Sequence, residues 1–190
     1  MASAQAELRR LVWSGFETTD EIVEHIEWTW GWDEPLDTAW LRDELKAEFE
    51  KKRRDETSWP TTTDNDRLER AFAALEAHGI IALHNAGYTQ QDGMSDVSER
   101  SHGARIRDAR KSQIITGWCF YTGQDIKTAL DSHGLWIAFG DFDGDRDRAL
   151  SVARTIKRVL EHEGLRVEWN GEPGQRLRIS PFDWRKRGAR

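Results

Sequence analysis

Apolar residues recur at three- and four-residue spacing along much of the chain, and four of these stretches stop in the same way. The repeated pattern is Leu, three residues, Gly and an apolar residue. It runs from Leu11 to Gly15 and Phe16, Leu75 to Gly79 and Ile80, Leu130 to Gly134 and Leu135, and Leu160 to Gly164 and Leu165. This spacing predicts helix ends at which Gly takes the left-handed backbone conformation and the apolar residue folds back onto the Leu. Upstream of the stops, helical spacing is kept by Leu8, Leu11 and Val12, by Leu68, Phe72 and Leu75, by Ile126, Ala129 and Leu130, and by Leu150, Ala153, Ile156 and Leu160. Three stops lead directly into strand-like runs, Ile80 to Leu83, Leu135 to Phe139 and Leu165 to Trp169. Ile114 to Tyr121 and Leu177 to Ile179 have the same β-branched and aromatic character. Leu165, Val167 and Trp169 alternate with Arg166 and Glu168, as Leu177 and Ile179 do with Arg176 and Arg178. A half-buried hairpin is expected there, closed by the turn chemistry of Asn170-Gly171-Glu172-Pro173-Gly174.

The N-terminal part reads as all-helical. Helices are predicted over residues 3 to 14, over 19 to 30 behind the capping pair Thr18 and Glu21, and over 36 to 54 with Leu41, Leu45 and Phe49 as the apolar face. Residues 51 to 56 are all charged, and 57 to 63, containing Pro60, read as a linker. The predicted organisation is a helical region over 1–56, the linker over 57–63 and a sheet domain over 64–190. In that domain the order is helix, strand, an irregular or helical segment, strand, helix, strand, helix, strand, strand. The fold class is therefore α+β: an N-terminal helical segment followed by one mixed sheet of about five strands with packed helices and a C-terminal β-hairpin.

Charge sharpens the division. Residues 1–56 carry 15 acidic and 8 basic side chains, whereas residues 151–190 carry 5 acidic and 10 basic ones, ending in Trp184, Arg185, Lys186, Arg187 and Arg190. An acidic flank suits a basic or protein partner better than nucleic acid, and the basic end reads as a solvated tail. Trp28, Trp30, Trp32 and Trp40 crowd the small helical region. Indoles serve a core or a partner, and Trp28 and Trp32 are the candidates for a partner surface. No apolar run approaches the roughly 18 residues of a membrane span, and the start of the chain lacks a signal-peptide stretch. With Cys119 as the one cysteine, a disulfide framework is excluded, and a cytoplasmic location with no membrane partner is expected.

A near repeat supplies the candidate site. Tyr88-Thr89-Gln90-Gln91-Asp92 and Tyr121-Thr122-Gly123-Gln124-Asp125 each follow an Ile-Ile pair, Ile80-Ile81 and Ile114-Ile115. Thr-x-x-Asp is helix-capping chemistry, so Thr89 and Thr122 are expected to start helices, with Asp92 and Asp125 near the positive helix ends. The same placement puts Tyr88, Thr89, Asp92, Tyr121, Gln124 and Asp125 around a crevice at the strand ends, where sheets with parallel strands bind ligands.

Other chemistry is weaker. Asp141, Asp143, Asp145 and Asp147 alternate as in a calcium loop, but Gly144 falls at position 4 rather than 6 and Val152 stands at position 12. The loop is better read as the cap of the following helix, and neither a metal nor a cofactor is expected. A nucleophilic set of Cys119, His84 and Asp92 can be drawn, but Cys119 falls within an aromatic strand and reads as a buried, inert thiol. His78, His133 and His162 fall at helix ends, where the dipole accounts for them. Arg178 and Glu168 are expected to pair across the hairpin, and Phe182 and Trp184 to cover the core. No phosphate loop, dinucleotide fingerprint or paired-Cys spacing occurs.

LHNAGYTQQDG (83 to 93), GWCFYTGQD (117 to 125), LWIAFG (135 to 140), GLRVEWNG (164 to 171) and RISPFDWRKR (178 to 187) resemble a family of uncharacterised bacterial proteins, a domain of unknown function. The resemblance implies a bacterial cytosolic protein with a single recurring domain, and it carries no catalytic residue. The functional expectation is a non-enzymatic module that binds another protein; neutralisation of a toxin is one concrete form. The alternative is a small-molecule enzyme, hydrolase-like, with Asp92 or Asp125 as general base and the Tyr hydroxyls positioning substrate.

Overall fold

The capping pair Thr18 and Glu21 begins the second N-terminal helix where the sequence predicts. In the computed structural model, which describes residues 2–31, 37–107 and 115–188, α1 spans Ala2–Ser14, α2 Thr19–Trp30 and α3 Thr38–Glu56. Thr18 and Glu21 form a reciprocal capping box on α2, and Asp37 caps α3 by accepting the Ala39 and Trp40 backbone N–H groups. Chain contacts divide the protein into two compact units: residues up to Thr63 together with the segment from Arg185, and Asp64–Trp184.

The helical unit is held by one apolar cluster. Leu8, Leu11 and Val12 of α1, Ile22, Val23 and Ile26 of α2, and Leu41 and Leu45 of α3 are all buried. Trp40 packs at its margin, as do Trp13 and Phe49. Near the end of α1 the buried Lys52 donates from Nζ to the Val12 carbonyl at 3.0 Å. That carbonyl belongs to the last turn, which has no intrahelical donor, so a cation from α3 caps α1. The linker is anchored rather than loose: Trp59 is buried and donates from Nε1 to Asp55 Oδ2 at 2.9 Å. The basic end, expected to be solvated, is held as well. Arg187 Nη2 donates to the Pro60 carbonyl at 2.8 Å and the Gly188 N–H to Glu56 Oε1 at 3.3 Å, while Lys186 Nζ lies 4.8 Å from the Phe16 ring centroid.

The second unit contains α4 (Asp64–Ala77), β1 (Ile80–Leu83), α5 (Gln90–Arg107), β2 (Gly117–Phe120), α6 (Gly123–Ser132), β3 (Leu135–Gly140), α7 (Arg146–His162), β4 (Val167–Glu168) and β5 (Leu177–Ile179). The sheet order is β1-β2-β3-β5-β4; β1 and β2 run parallel and every other neighbouring pair is antiparallel. The sheet is thus mixed and five-stranded, as expected. Glu168 stands opposite Arg178 in the hairpin, and the two pair at 3.5 Å. Strand alternation sorts the two faces. On one, Ile81, Trp118, Phe120 and Ala138 pack with Val97 of α5; on the other, Gly117 leaves room for Val152 of α7. The middle segment is fully helical, because Gly93, Val97 and Ser101 recur at four-residue spacing and give the otherwise polar α5 a narrow buried stripe.

Three predicted glycine stops hold, with φ of 81° at Gly15, 75° at Gly79 and 85° at Gly164. The fourth is displaced by one residue. His133 takes the left-handed conformation at φ 52°, its N–H bonding the Ala129 carbonyl, and Gly134 serves a different need. A Cβ at Gly134 would stand 3.0 Å from Arg178 Nε, so this glycine admits the guanidinium from β5.

Candidate functional site at the ends of β1 and β2

The segments leaving the two parallel strands stay side by side. The Ala86 N–H donates to the Tyr121 carbonyl at 2.9 Å, Gly123 N–H to Gly87 at 3.0 Å and Gln124 N–H to Tyr88 at 3.2 Å. The backbones of the repeated motifs are thereby brought together. Each motif opens a helix through the same box. Thr89 N–H and Oγ1 donate to Asp92 Oδ2 at 2.8 and 2.9 Å, and the Asp92 N–H returns to Thr89 Oγ1 at 3.3 Å. At α6, Thr122 N–H and Oγ1 donate to Asp125 Oδ2 at 3.0 and 2.9 Å, and the Asp125 N–H returns at 3.4 Å. The Thr89 backbone N–H, then its hydroxyl, holds the Asp92 carboxyl below its ordinary range. Gly87 makes the first turn possible: at φ +56°, an added Cβ would lie 2.2 Å from Asp92 Cβ.

The two boxes differ in depth. Asp125 is buried, and its second oxygen, Oδ1, accepts Arg176 Nη1 at 2.7 Å. Arg176 also lies 5.5 Å from the Trp136 ring centroid, so a guanidinium just before β5 is fixed between an indole and a helix cap. Both oxygens of Asp125 are engaged in holding structure. The tyrosines diverge: Tyr88 is 47% exposed and lies over Gly123, whereas Tyr121 is buried. Tyr121 Oη sits 2.9 Å from His84 Nδ1, the His84 ring stacks on Phe72 at 4.5 Å, and Trp184 meets Tyr121 edge-on at 5.8 Å. Burial, helped by the charge of Glu69, pushes the Tyr121 hydroxyl well above its ordinary range and keeps it neutral. Gln124 is exposed.

Beside these turns lies a cavity of about 380 Å³ that the repeated motifs do not line. Its walls come from the exit of β1, Leu83, His84, Asn85 and Ala86, and from one face of α5, Asp96, Glu99 and Arg100. Asn85 holds φ 49°, an uncommon conformation for a residue with a side chain. Sequence reasoning reached His84 only as part of a thiol set. The α5 residues carry no local signal, because their role depends on which helix face meets the strand exit.

The remaining candidates resolve structurally. Cys119 is fully buried in β2 and burial pushes its thiol far up, so the thiolate is suppressed. Asp145 caps α7 by accepting the Arg148 N–H at 2.9 Å, as the loop reading predicts. Asp141 is buried, and Arg148 reaches from Nε to Asp141 Oδ2 at 3.3 Å and from Nη2 to Asp143 Oδ2 at 2.7 Å. Burial raises the Asp141 carboxyl, but backbone N–H groups of Asp143 and Asp145 and the guanidinium outweigh it and leave it lowered. A side-chain cation thus bridges the aspartates, and among the described residues no group of three or more His, Cys, Asp or Glu could hold a metal ion.

On α2, Trp28 is 72% exposed and Trp30 40%. Glu24, Glu27, Trp28 and Gly31 line a surface concavity of about 490 Å³, and Glu27 Oε1 accepts Thr38 Oγ1 at 2.8 Å. Trp32 lies outside the described residues.

These features define a class: an α+β protein with an N-terminal helical unit, a mixed five-stranded sheet, and no helix among the described residues long and apolar enough to cross a membrane. Residues 1–188 match the domain of unknown function DUF6891, and the chain belongs to that family. Comparison with curated proteins and with solved structures found no match.

Proposed function

We propose that this protein is a non-enzymatic cytoplasmic module that binds another protein through the acidic, indole-bearing face of α2. The observation carrying this reading is Trp28, its ring largely exposed beside Glu24 and Glu27 in a surface concavity. Keeping a large indole in water forgoes the stabilisation its burial would bring, about 25 cal/mol per Å² of apolar surface. A helix face built this way gains when a partner covers it. The neighbouring carboxylates favour a basic partner: a Lys or Arg side chain can lie over the indole while pairing with Glu24 or Glu27. A toxin with a basic surface is one partner of this description. The hydrolase alternative gains nothing from the geometry, since Asp92 and Asp125 are committed to helix caps and Asp125 also to Arg176.

Calorimetric titration with an oligoarginine peptide tests the proposal, with oligoglutamate as the control. Wild type is expected to bind the basic peptide saturably and more weakly as salt rises. Trp28→Ala and Glu24→Lys should each weaken binding about tenfold, while Asp131→Lys, with the same change in net charge, should not. Equal weakening by Glu24→Lys and Asp131→Lys, or none by Trp28→Ala, would reduce the effect to overall charge and overturn the proposal.

A further inference from the structure

The cavity at the exit of β1 has a composition that neither the helix caps nor the α2 surface explains. Asp96, Glu99 and Arg100 stand at positions i, i+3 and i+4 of α5 and share one face, with Cβ atoms about 5–6 Å apart. Opposite them are His84 and Asn85 from the strand exit, and Leu83 and Ala86 supply apolar wall. The cavity is therefore bounded by carboxylates, a guanidinium, an imidazole and an amide, with a little hydrocarbon. At about 380 Å³ it falls within the size range of small-ligand sites.

The partners of these groups set what they can do. His84 is immobilised, with Nδ1 at 2.9 Å from the buried Tyr121 hydroxyl and its ring stacked on Phe72, so one wall is preorganised. Asp96 and Glu99 make no hydrogen bond or ion pair among the described residues. Arg100 reaches Glu76 Oε1 only at 3.5 Å, and both side chains are about half exposed, 47% and 48%. Such a surface pair contributes little, so Arg100 can exchange Glu76 for another carboxylate at low cost. The position also matches the general rule for sheets with parallel strands, whose ligands lie beyond the carboxyl ends of those strands.

We propose that this cavity binds a small zwitterion of the amino-acid class, its carboxylate on Arg100 and its ammonium between Asp96 and Glu99, with His84 and Asn85 fixing its orientation. A simple anion would face two carboxylates with no partner among the described residues, and a simple amine would leave Arg100 with only its long contact to Glu76 among them. A molecule carrying both charges satisfies both walls.

Thermal-shift and calorimetric titration of the full chain with free amino acids tests this. Each amino acid is compared with its amide, which lacks the carboxylate charge, and with its deaminated acid, which lacks the ammonium. At least one zwitterion is expected to bind with Kd at or below about 1 mM, and its amide and deaminated forms about tenfold or more weakly. Arg100→Ala and Asp96→Asn, both at exposed helix positions that leave the fold intact, should each cost about tenfold. Arg100→Lys should recover part of the loss. Absence of saturable binding across the panel, amines binding as well as zwitterions, or unchanged affinity in Arg100→Ala and Asp96→Asn would each overturn the assignment. Trp28→Ala should leave this binding unchanged, which separates it from the α2 surface.

Discussion

Lys52 is the group whose protonation the helical unit constrains most. Burial lowers its ammonium from 10.5 to about 8, with Glu56 opposing the shift and Lys186 adding to it. In the unfolded chain Lys52 returns to its ordinary value, so between about pH 8 and pH 10.5 the unfolded state binds more protons than the folded one. Stability conferred by this group must therefore rise with pH across that window. Linkage with these two pKa values gives a gain of about 2.5 kcal/mol between about pH 7 and pH 10. Two groups in the sheet unit act oppositely at the alkaline end, because Cys119 and Tyr121 are both held protonated in the fold and ionise on unfolding. Comparison with Lys52→Met cancels them, since the variant keeps both and preserves the buried aliphatic stem. Urea denaturation of both proteins in steps of pH should show the wild type gaining on the variant by about 2.5 kcal/mol over the range. A difference that stays flat would mean that the Lys52 ammonium is hydrated in the folded protein, and the capping of Val12 by a desolvated cation would be wrong.

Other expectations follow from the sheet unit. Asp125→Ala removes a helix cap and leaves Arg176 without its 2.7 Å partner, and should lower stability by about 2 kcal/mol in thermal or urea unfolding. Asp92→Ala, which removes the capping bonds with Thr89, should cost about 1 kcal/mol by the same measurement. In the folded state Cys119 should react with a thiol reagent only as fast as the chain opens, which timed labelling in native buffer and in urea would show. A Cβ at Gly93 would lie 2.4 Å from Phe120 Cε2, so Gly93→Ala should lower stability by about 1–3 kcal/mol despite being a favourable exchange for helix propensity.

What the sequence discloses here is what neighbouring residues decide. The capping boxes at Thr18, Thr89 and Thr122 are complete within four residues, and each forms as written. The strand runs and their succession along the chain are legible for the same reason, since periodicity and glycine stops are local, whereas the sheet order β1-β2-β3-β5-β4 is not. The displaced stop marks the limit. Leu130 to Gly134 has the right spacing, but a residue from β5, Arg178, needs the space at Gly134, and the left-handed conformation moved to His133. The pairing of Asp125 with Arg176 spans 51 positions and has no local trace. The basic tail reads as solvated because its composition is that of a tail, and only the folded helical unit reveals Pro60 and Glu56 as its acceptors. The β1-exit cavity was hidden for the same reason: its polar wall is the exposed-looking face of a weakly amphipathic helix, and its other wall is a turn set by Asn85.

The protein-binding reading rests on Trp28, and the indole N–H resonance of that residue offers the most direct test. The signal can be assigned by its loss in Trp28→Phe and followed while an oligoarginine peptide is added to the full-length protein. The account predicts that it shifts saturably, together with backbone signals of Glu24 and Glu27, with the sheet unit unperturbed. A Trp28 signal that stays in place while the peptide binds elsewhere, or spreads its effect evenly over every acidic surface, would contradict it.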